Sequence, residues 1–209
     1  MRRYQRRTVW IKTHFKAAVT VSAAVVLFCG ACGDGKPGDE RAYPPTSASG
    51  KSSNTAPTVA NPLDVTKIEK SPCLMFPANA LKVAGITPTN EGYADTLSRL
   101  GPACRLDGDT EHWRLSATLL TSDKQGLSRI YANQEANPNP NFKEVAPIEG
   151  YPAVQGVGTN SPSEGGCNVT VGLRDDLTLS VRVTGKQDRP CEFANTAAAV
   201  AVRAIKAAQ

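Results

Sequence analysis

The sequence predicts an α+β fold: a single domain in which an antiparallel β-sheet packs against helices, with a helix at the C-terminus. Residues 167–173 and 178–183 alternate apolar and polar side chains on either side of a short polar turn, which is typical of a β-hairpin. Residues 190–209 are rich in alanine and repeat their apolar side chains at helical spacing. We place the folded domain at residues 65–209, because about 140 residues suffice for one hydrophobic core but not for two.

The first 31 residues have the pattern of an export signal. Six basic side chains and no acidic one precede a mostly apolar run over residues 17–31, which ends in small residues. At about 15 residues, this run is shorter than the ~20 that a membrane-spanning helix needs. We therefore predict a cleaved signal peptide over residues 1–31. The pair Arg6 and Arg7 does not decide between the twin-arginine route and the general secretory route.

The end of the apolar run predicts a lipid anchor. Gly30-Ala31-Cys32 resembles a bacterial lipobox, in which cleavage occurs before a cysteine that carries a diacylglyceryl group. With palmitate or similar acyl chains on Cys32, the protein would be held at the outer face of the plasma membrane, because two chains suffice for stable anchoring. The alternatives are an uncleaved anchor and a secretory signal that leaves Cys32 unmodified.

Between the predicted lipid and the predicted domain lies a flexible linker, residues 32–64. Residues 33–62 consist mainly of small and polar residues and proline. Such a composition cannot bury enough apolar surface to offset the entropy lost on ordering. We expect a tether that spans on the order of 30 Å as a random coil.

The charge balance excludes one class of partner. The whole sequence has 24 basic and 19 acidic side chains. Removal of residues 1–31 takes away six basic groups and no acidic group, which leaves 18 basic groups, 19 acidic groups and a formal net charge of −1. No nucleic-acid partner is expected, because nucleic-acid phosphates are bound by an excess of Lys and Arg.

Four cysteines remain in the predicted exported domain: Cys73, Cys104, Cys167 and Cys191. An even number in an oxidising compartment predicts two disulfides, with three possible pairings. We favour Cys73 with Cys104 and Cys167 with Cys191, because each pair closes a loop of about 25–30 residues, which is worth ~3 kcal/mol. A four-cysteine zinc site is disfavoured, since no two cysteines have the close spacing that structural zinc sites use.

The sequence of the first half of the domain predicts three further secondary-structure elements. Pro77 and Gly85 bracket a short helix over residues 78–85. Residues 93–100 form either a helical turn or an irregular strand. Residues 113–121 alternate apolar and polar side chains, which predicts a half-buried strand with Leu115 on its apolar side.

The second half of the domain predicts a surface helix over residues 122–136 and an extended segment over residues 145–157 that bends at Gly150 and Pro152. The last helix opens at residues 190–192. One face of that helix carries Phe193, Ala197, Val200, Ala201, Ala204 and Ala208.

Several short motifs together resemble a known family. They are Pro72-Cys73-Leu74, Cys104 ahead of a strand, Gly150-Tyr151-Pro152-Ala153, Cys167 opening a strand, and Pro190-Cys191-Glu192-Phe193-Ala194 opening the last helix. In this order, over residues 71–207, they are similar to the actinobacterial lipoproteins with "domain of unknown function 3558". The resemblance implies an extracytoplasmic α+β domain and no known reaction.

The sequence patterns point to no catalytic residue, no metal site and no cofactor. His112 is the single histidine after residue 31, and we assign it to a strand entrance. No G-x-S-x-G motif accompanies it. The turn 107–111 lacks the rest of a calcium loop. Asp175 and Asp176 are adjacent carboxylates in a predicted turn, where side chains usually face solvent.

These observations predict a non-enzymatic, membrane-anchored extracytoplasmic lipoprotein that binds an envelope ligand or a protein partner. One alternative is an envelope hydrolase that acts on glycans or esters; a deep pocket with two carboxylates of opposed pKa would favour it. Another alternative is an accessory subunit of a membrane complex, which would expose an apolar patch.

Overall fold

The computed structural model describes residues 55–108, 112–156, 166–185 and 188–209. The predicted signal peptide, the lipidation site Cys32 and most of the predicted tether lie outside these residues. Within them, none of the helices combines the length and the hydrophobicity that crossing a membrane requires.

Seven antiparallel strands form one sheet, in the order β1-β2-β3-β7-β6-β5-β4. The strands are β1 Tyr93–Asp95, β2 Ala103–Asp107, β3 Arg114–Leu120, β4 Lys143–Ile148, β5 Tyr151–Gln155, β6 Cys167–Arg174 and β7 Leu177–Thr184. The helices are α1 Thr66–Lys70, a 3₁₀ helix Pro72–Met75, α2 Ala78–Val83, α3 Gly126–Ala136 and α4 Pro190–Ala207. The predicted fold, an antiparallel sheet with helices and a C-terminal helix, is confirmed.

Helix α4 packs against one face of the sheet and forms the main core with it. Side chains alternate between the two faces of a strand, so every second residue of the central strands points toward α4. These residues are Leu115, Ala117, Leu119, Val169, Val171, Val181 and Val183, all fully buried. Burial of a Val or Leu side chain stabilises the fold by ~1.5–3 kcal/mol, so this layer dominates the stability of the domain.

The buried stripe of α4 is wider than the sequence predicts. Ala197, Val200 and Ala201 are buried as predicted, whereas Phe193 and Ala204 are only half-buried. The stripe also includes Ala194, Ala198, Val202 and Ile205. Small alanine side chains bring the helix axis close to the sheet, so neighbouring positions on both sides of the predicted face lose solvent contact.

Helix α3 packs on the opposite face of the sheet, over strand β6. Leu127 and Tyr131 of α3 form a small separate cluster with Val154 of β5. Gly172 of β6 lies beneath Leu127, and any larger side chain at this position would press into the leucine. The helix begins at Gly126 rather than at residue 122, because residues 122–125 form a turn in which Asp123 accepts the backbone N–H of Gln125.

Residues 145–155 belong to a hairpin, so the prediction of one bent extended segment over residues 145–157 is wrong. Glu149 and Gly150 both have positive φ, 53° and 88°, which is the backbone of a tight two-residue hairpin turn. The turn joins β4 to β5. Pro152 does not bend the chain; it lies within β5, opposite a register shift in β4. Proline has no backbone N–H to donate, and it is tolerated at this position because the sheet hydrogen bonding is irregular at a β-bulge.

The packed chain starts before residue 65. Val59 and Leu63, which fall within the predicted linker 32–64, are buried in the main core. The N–H of Leu63 donates to the carbonyl of Leu173 at 3.1 Å. The N–H of Val59 donates to Oδ1 of Asp175 at 2.8 Å. Two isolated apolar residues in a polar stretch give no periodic signal, which is why the sequence analysis places the boundary later.

Candidate functional site

The sheet face opposite α4 is polar over strands β1, β2, β3 and β7. Strand alternation places Arg114 and Ser116 of β3 on this face, while Leu115 between them points into the core. Arg105 of β2 and Arg182 of β7 are exposed on the same face. We call the surface formed by Arg105, Arg114, Ser116 and Arg182 the polar face.

Strand register aligns three of these side chains, together with Tyr93 of β1, in one row across the sheet. Tyr93 pairs with Arg105, Arg105 pairs with Ser116, and Ser116 pairs with Arg182. Directly paired residues of antiparallel strands share a face and lie side by side. The short Ser116 side chain is therefore flanked by an arginine on each side, and Tyr93 closes the row at the sheet edge.

A cavity of about 440 Å³ lies over this row. Its lining includes all four residues of the polar face, together with Tyr93 and Thr184. Ligand pockets in proteins commonly measure ~300–1,000 Å³, so the cavity has the size of a small-molecule site. Its walls are strand residues, and strands that pack on a core position side chains more precisely than loops do.

Two ion pairs orient arginines at the cavity. Nη2 of Arg105 lies 2.9 Å from Oδ2 of Asp95, and Nε of Arg114 lies 3.6 Å from Oδ1 of Asp107. Both arginines are more than half exposed, so each pair contributes only ~0–1 kcal/mol. Guanidinium groups held this weakly can turn toward a bound anion at little cost.

A second cavity, of about 170 Å³, lies at the start of α4. It brings two carboxylates, Asp188 and Glu192, to the same guanidinium of Arg189, at 3.7 and 3.1 Å. Thr196 lies on the same wall. The cavity is smaller than the ~300 Å³ of typical ligand sites, and both carboxylates are largely exposed to water. This geometry fits a surface ion-pair cluster.

The predicted carboxylate pair serves the structure of the β6–β7 turn. Asp176 accepts a hydrogen bond from Nε of Arg174 at 2.9 Å, and this bond holds the pKa of the Asp176 carboxyl below its usual range. Asp175 accepts the N–H of Val59. The two carboxylates therefore make separate contacts, each within or beside the turn.

His112 lies at the entrance of β3, as the sequence analysis places it. It is exposed, has a positive φ of 49°, and does not line either cavity. Among the described residues there is no group of three or more His, Cys, Asp or Glu side chains that could hold a metal ion.

Both favoured disulfides are present. Cys73 of the 3₁₀ helix bonds to Cys104 of β2, and Cys167 of β6 bonds to Cys191 of α4. The first bridge attaches the N-terminal helices to the strand that carries Arg105. The second attaches α4 to the centre of the sheet. Both bridges thus brace the strands beneath the polar face.

The polar-face cavity is not predicted from the sequence. Alternation in β3 predicts Arg114 and Ser116 on the polar side of a strand, but β2 is not predicted, so Arg105 has no predicted neighbour. The pairing of β3 with β7 joins Ser116 to Arg182, which are more than 60 positions apart in the chain. The only local signal is that each of the three arginines occupies the polar side of its strand.

Comparison with known protein families identifies a match over most of the chain. A family model described as "Protein of unknown function (DUF3558)" matches residues 27–204. The matched region includes every strand and all but the end of α4. No curated protein and no solved structure matches the chain.

Proposed function

The chain belongs to the DUF3558 family of proteins of unknown function, and we propose that it is a lipid-anchored extracytoplasmic protein that binds a small ligand in the polar-face cavity. The observation that carries this proposal is the cavity of about 440 Å³ over the row from Tyr93 to Arg182. A rigid sheet that presents several hydrogen-bond donors at one cavity is suited to binding.

The proposed location is supported by the disulfides and by the N-terminal sequence. Structural disulfides persist in oxidising compartments and are rare in the reducing cytosol. Residues 1–31 have the pattern of an export signal, and Cys32 follows it directly. A tethered domain at the outer face of the membrane would meet ligands that belong to the cell envelope.

Preorganisation favours a binding role for this face. Ser116 and Arg182 lie on neighbouring central strands, and the opposite face of these strands is fully buried against α4. The backbone beneath the cavity is thus held in place before any ligand arrives. Less conformational entropy is lost on binding to such a site.

The location is tested by replacing the proposed lipidated cysteine. In the cells that produce the protein, Cys32→Ser should leave the precursor unprocessed or release the protein from the membrane, and the mass of the diacylglyceryl group should be lost. Membrane fractionation and intact-protein mass spectrometry measure both effects. Unchanged mass together with unchanged membrane retention would refute the lipid anchor.

The binding role is tested by filling the cavity. The protein is extracted gently from its own membrane and examined by native mass spectrometry, as wild type and as Ser116→Trp. We expect a co-purifying small molecule on the wild type and its loss from Ser116→Trp. Thr196→Trp, which fills the smaller cavity, is the matched control and should retain the ligand. Retention by Ser116→Trp, or a wild type with no ligand, would contradict the proposal.

A further inference from the structure

We infer that the ligand of the polar-face cavity carries a phosphate group, which binds above Ser116 between Arg105 and Arg182. This inference rests on the proposed function, because it names the chemistry of the ligand for the same cavity. Three observations support it: the spacing of the arginines across the sheet, the local excess of positive charge, and the number of hydrogen-bond donors.

The first observation is the spacing of the arginines. Neighbouring strands lie ~4.8 Å apart, so the backbones that carry Arg105 and Arg182 are about 10 Å from each other, with β3 between them. Ser116, directly between the two, is too short to fill the gap. Two long side chains that flank a short one can converge on a group placed above it.

Arg114 adds a third guanidinium at the end of the same cavity. It lies two residues from Ser116 along β3, and therefore on the same face about 7 Å away. It pairs across the sheet with Thr184 of β7, which also lines the cavity. The site thus has Arg105 and Arg182 beside Ser116, and a third arginine at one end of the cavity.

The second observation is the local charge. The cavity is lined by three arginines and one carboxylate, Asp107, and the carboxylate of Asp95 lies against Arg105. Guanidinium groups therefore outnumber carboxylates by three to two among these residues, whereas acidic groups are in excess by one over residues 32–209 as a whole. A phosphate monoester carries ~−1.5 to −2 at neutral pH and is attracted to such an arginine-rich lining.

The third observation is the number of donors. A guanidinium presents five N–H donors in a planar fork that fits a phosphate or a carboxylate bidentately. Asp95 accepts a hydrogen bond from Nη2 of Arg105, which occupies one of the five donors of this guanidinium. A phosphate monoester has three charged oxygens and a carboxylate has two, so a site with three arginines suits phosphate better than carboxylate.

Calorimetric titration of the full-length protein tests the inference with inorganic phosphate, and with acetate as the carboxylate comparison. We expect phosphate to bind more tightly than acetate. Phosphate binding should weaken as salt is added, because salt screens charges on exposed arginines. Arg105→Gln and Arg182→Gln should each weaken phosphate binding about tenfold or more, since each removes charge-assisted hydrogen bonds.

Arg129→Gln provides a matched control. Arg129 of α3 and Arg105 are both 54% exposed, and the carboxylates that they contact, Asp123 and Asp95, are both 21% exposed. Replacing Arg129 therefore removes a similar charge and a similar ion pair away from the cavity. Phosphate affinity should be unchanged in Arg129→Gln, and a loss equal to that of Arg105→Gln would overturn the inference.

A second measurement needs no variant and so does not depend on whether a variant folds. Phenylglyoxal modifies accessible arginines, and the modified positions are read by mass spectrometry of peptides from the wild-type protein. Phosphate should slow the modification of Arg105 and Arg182, but not that of Arg129. Equal modification with and without phosphate would overturn the inference.

Titration with glycerol 3-phosphate and with dihexanoyl phosphatidic acid distinguishes the sources of the phosphate. Tighter binding of the second compound, lost in Arg105→Gln, would identify a lipid headgroup; equal binding would identify a soluble phosphate ester. Binding of neither would overturn the inference. If phosphate does not bind but Ser116→Trp still abolishes retention of the native ligand, the proposed function stands and only the phosphate assignment fails.

Discussion

The disulfide between Cys167 and Cys191 joins the first residue of strand β6 to the second residue of helix α4, with the Cα atoms 5.0 Å apart. It therefore connects helix α4 to a central strand of the sheet at the point where each begins. The sheet cannot separate from the helix at this end without breaking the bond. The polar face lies on the other side of the same sheet.

Removal of this bridge should destabilise the domain without changing its fold. For a loop of 24 residues, the chain-entropy model assigns the bond ~3 kcal/mol. We expect Cys167→Ala with Cys191→Ala to lower the free energy of unfolding by about this amount in urea titrations. Removal of the Cys73–Cys104 bridge, which has a similar separation of 31 residues, should cost a similar amount. An unchanged urea midpoint would contradict the prediction.

Two glycines with similar backbone angles should respond differently to alanine. Gly156 and Gly85 have φ of 77° and 72°, so alanine strains the backbone at both positions by ~1–2 kcal/mol. A Cβ on Gly156 would also overlap the carbonyl of Asn141, whereas a Cβ on Gly85 meets open space. Gly156→Ala should therefore cost ~1–3 kcal/mol more than Gly85→Ala in thermal unfolding. Equal losses of stability in the two variants would contradict the prediction, because the overlap at residue 156 would then be relieved by local movement.

Tyr131 should make stability depend on alkaline pH. Burial, followed by the hydrogen bond that its hydroxyl donates to Glu144 at 2.9 Å, raises the pKa of Tyr131 above its usual range. The unfolded chain loses this proton near pH ~10 and the folded chain loses it at higher pH, so the stability from Tyr131 is complete below pH ~10 and falls as the pH rises further.

The test is Tyr131→Phe, measured by urea unfolding from pH 8 to pH 11. At the lower pH the variant should be less stable by ~1 kcal/mol, because the hydrogen bond is lost. Above pH ~10 the wild type should lose stability faster than the variant, so the difference in free energy of unfolding between the two proteins should narrow. Tyr93→Phe, at an exposed tyrosine, is the control. A gap that stays constant across this range would contradict the prediction.

Trp113 should be one of the most costly side chains to truncate. It is 4% exposed, and its ring contacts that of Phe193 at 5.0 Å between centroids. Trp113→Ala should lower the free energy of unfolding by ~3–5 kcal/mol, from lost burial and the cavity left behind. Leu97→Ala, at a position that is 93% exposed, should change it by less than ~0.5 kcal/mol. Similar losses in the two variants would contradict this account of the core.

The parts of the fold that depend on local pattern could be predicted from the sequence. The β6–β7 hairpin and α4 each have their own apolar periodicity, and the turn at Asp175 and Asp176 separates two alternating runs. The disulfide pairing could also be predicted, because pairing each cysteine with its nearest neighbour in the sequence closes the shortest loops. These features need no knowledge of distant neighbours.

The candidate site could not be predicted in the same way. Arg105 and Arg182 meet only because β3 pairs with β2 on one side and with β7 on the other, and the second pairing is distant in sequence. β2 has only five residues, too few for a clear alternation. The sequence predicts one bent segment in place of the β4–β5 hairpin, because Pro152 suggests a bend and the turn residue Glu149 is not a usual left-handed residue.

The most direct test of ligand binding at the polar face is a crystal structure of the protein purified from its own membrane with its ligand retained. The account predicts electron density for a ligand over Ser116, with an anionic group in contact with Arg105 and Arg182. A ligand bound elsewhere, such as beside Arg189 at the start of α4, would contradict the assignment of the polar face as the binding site.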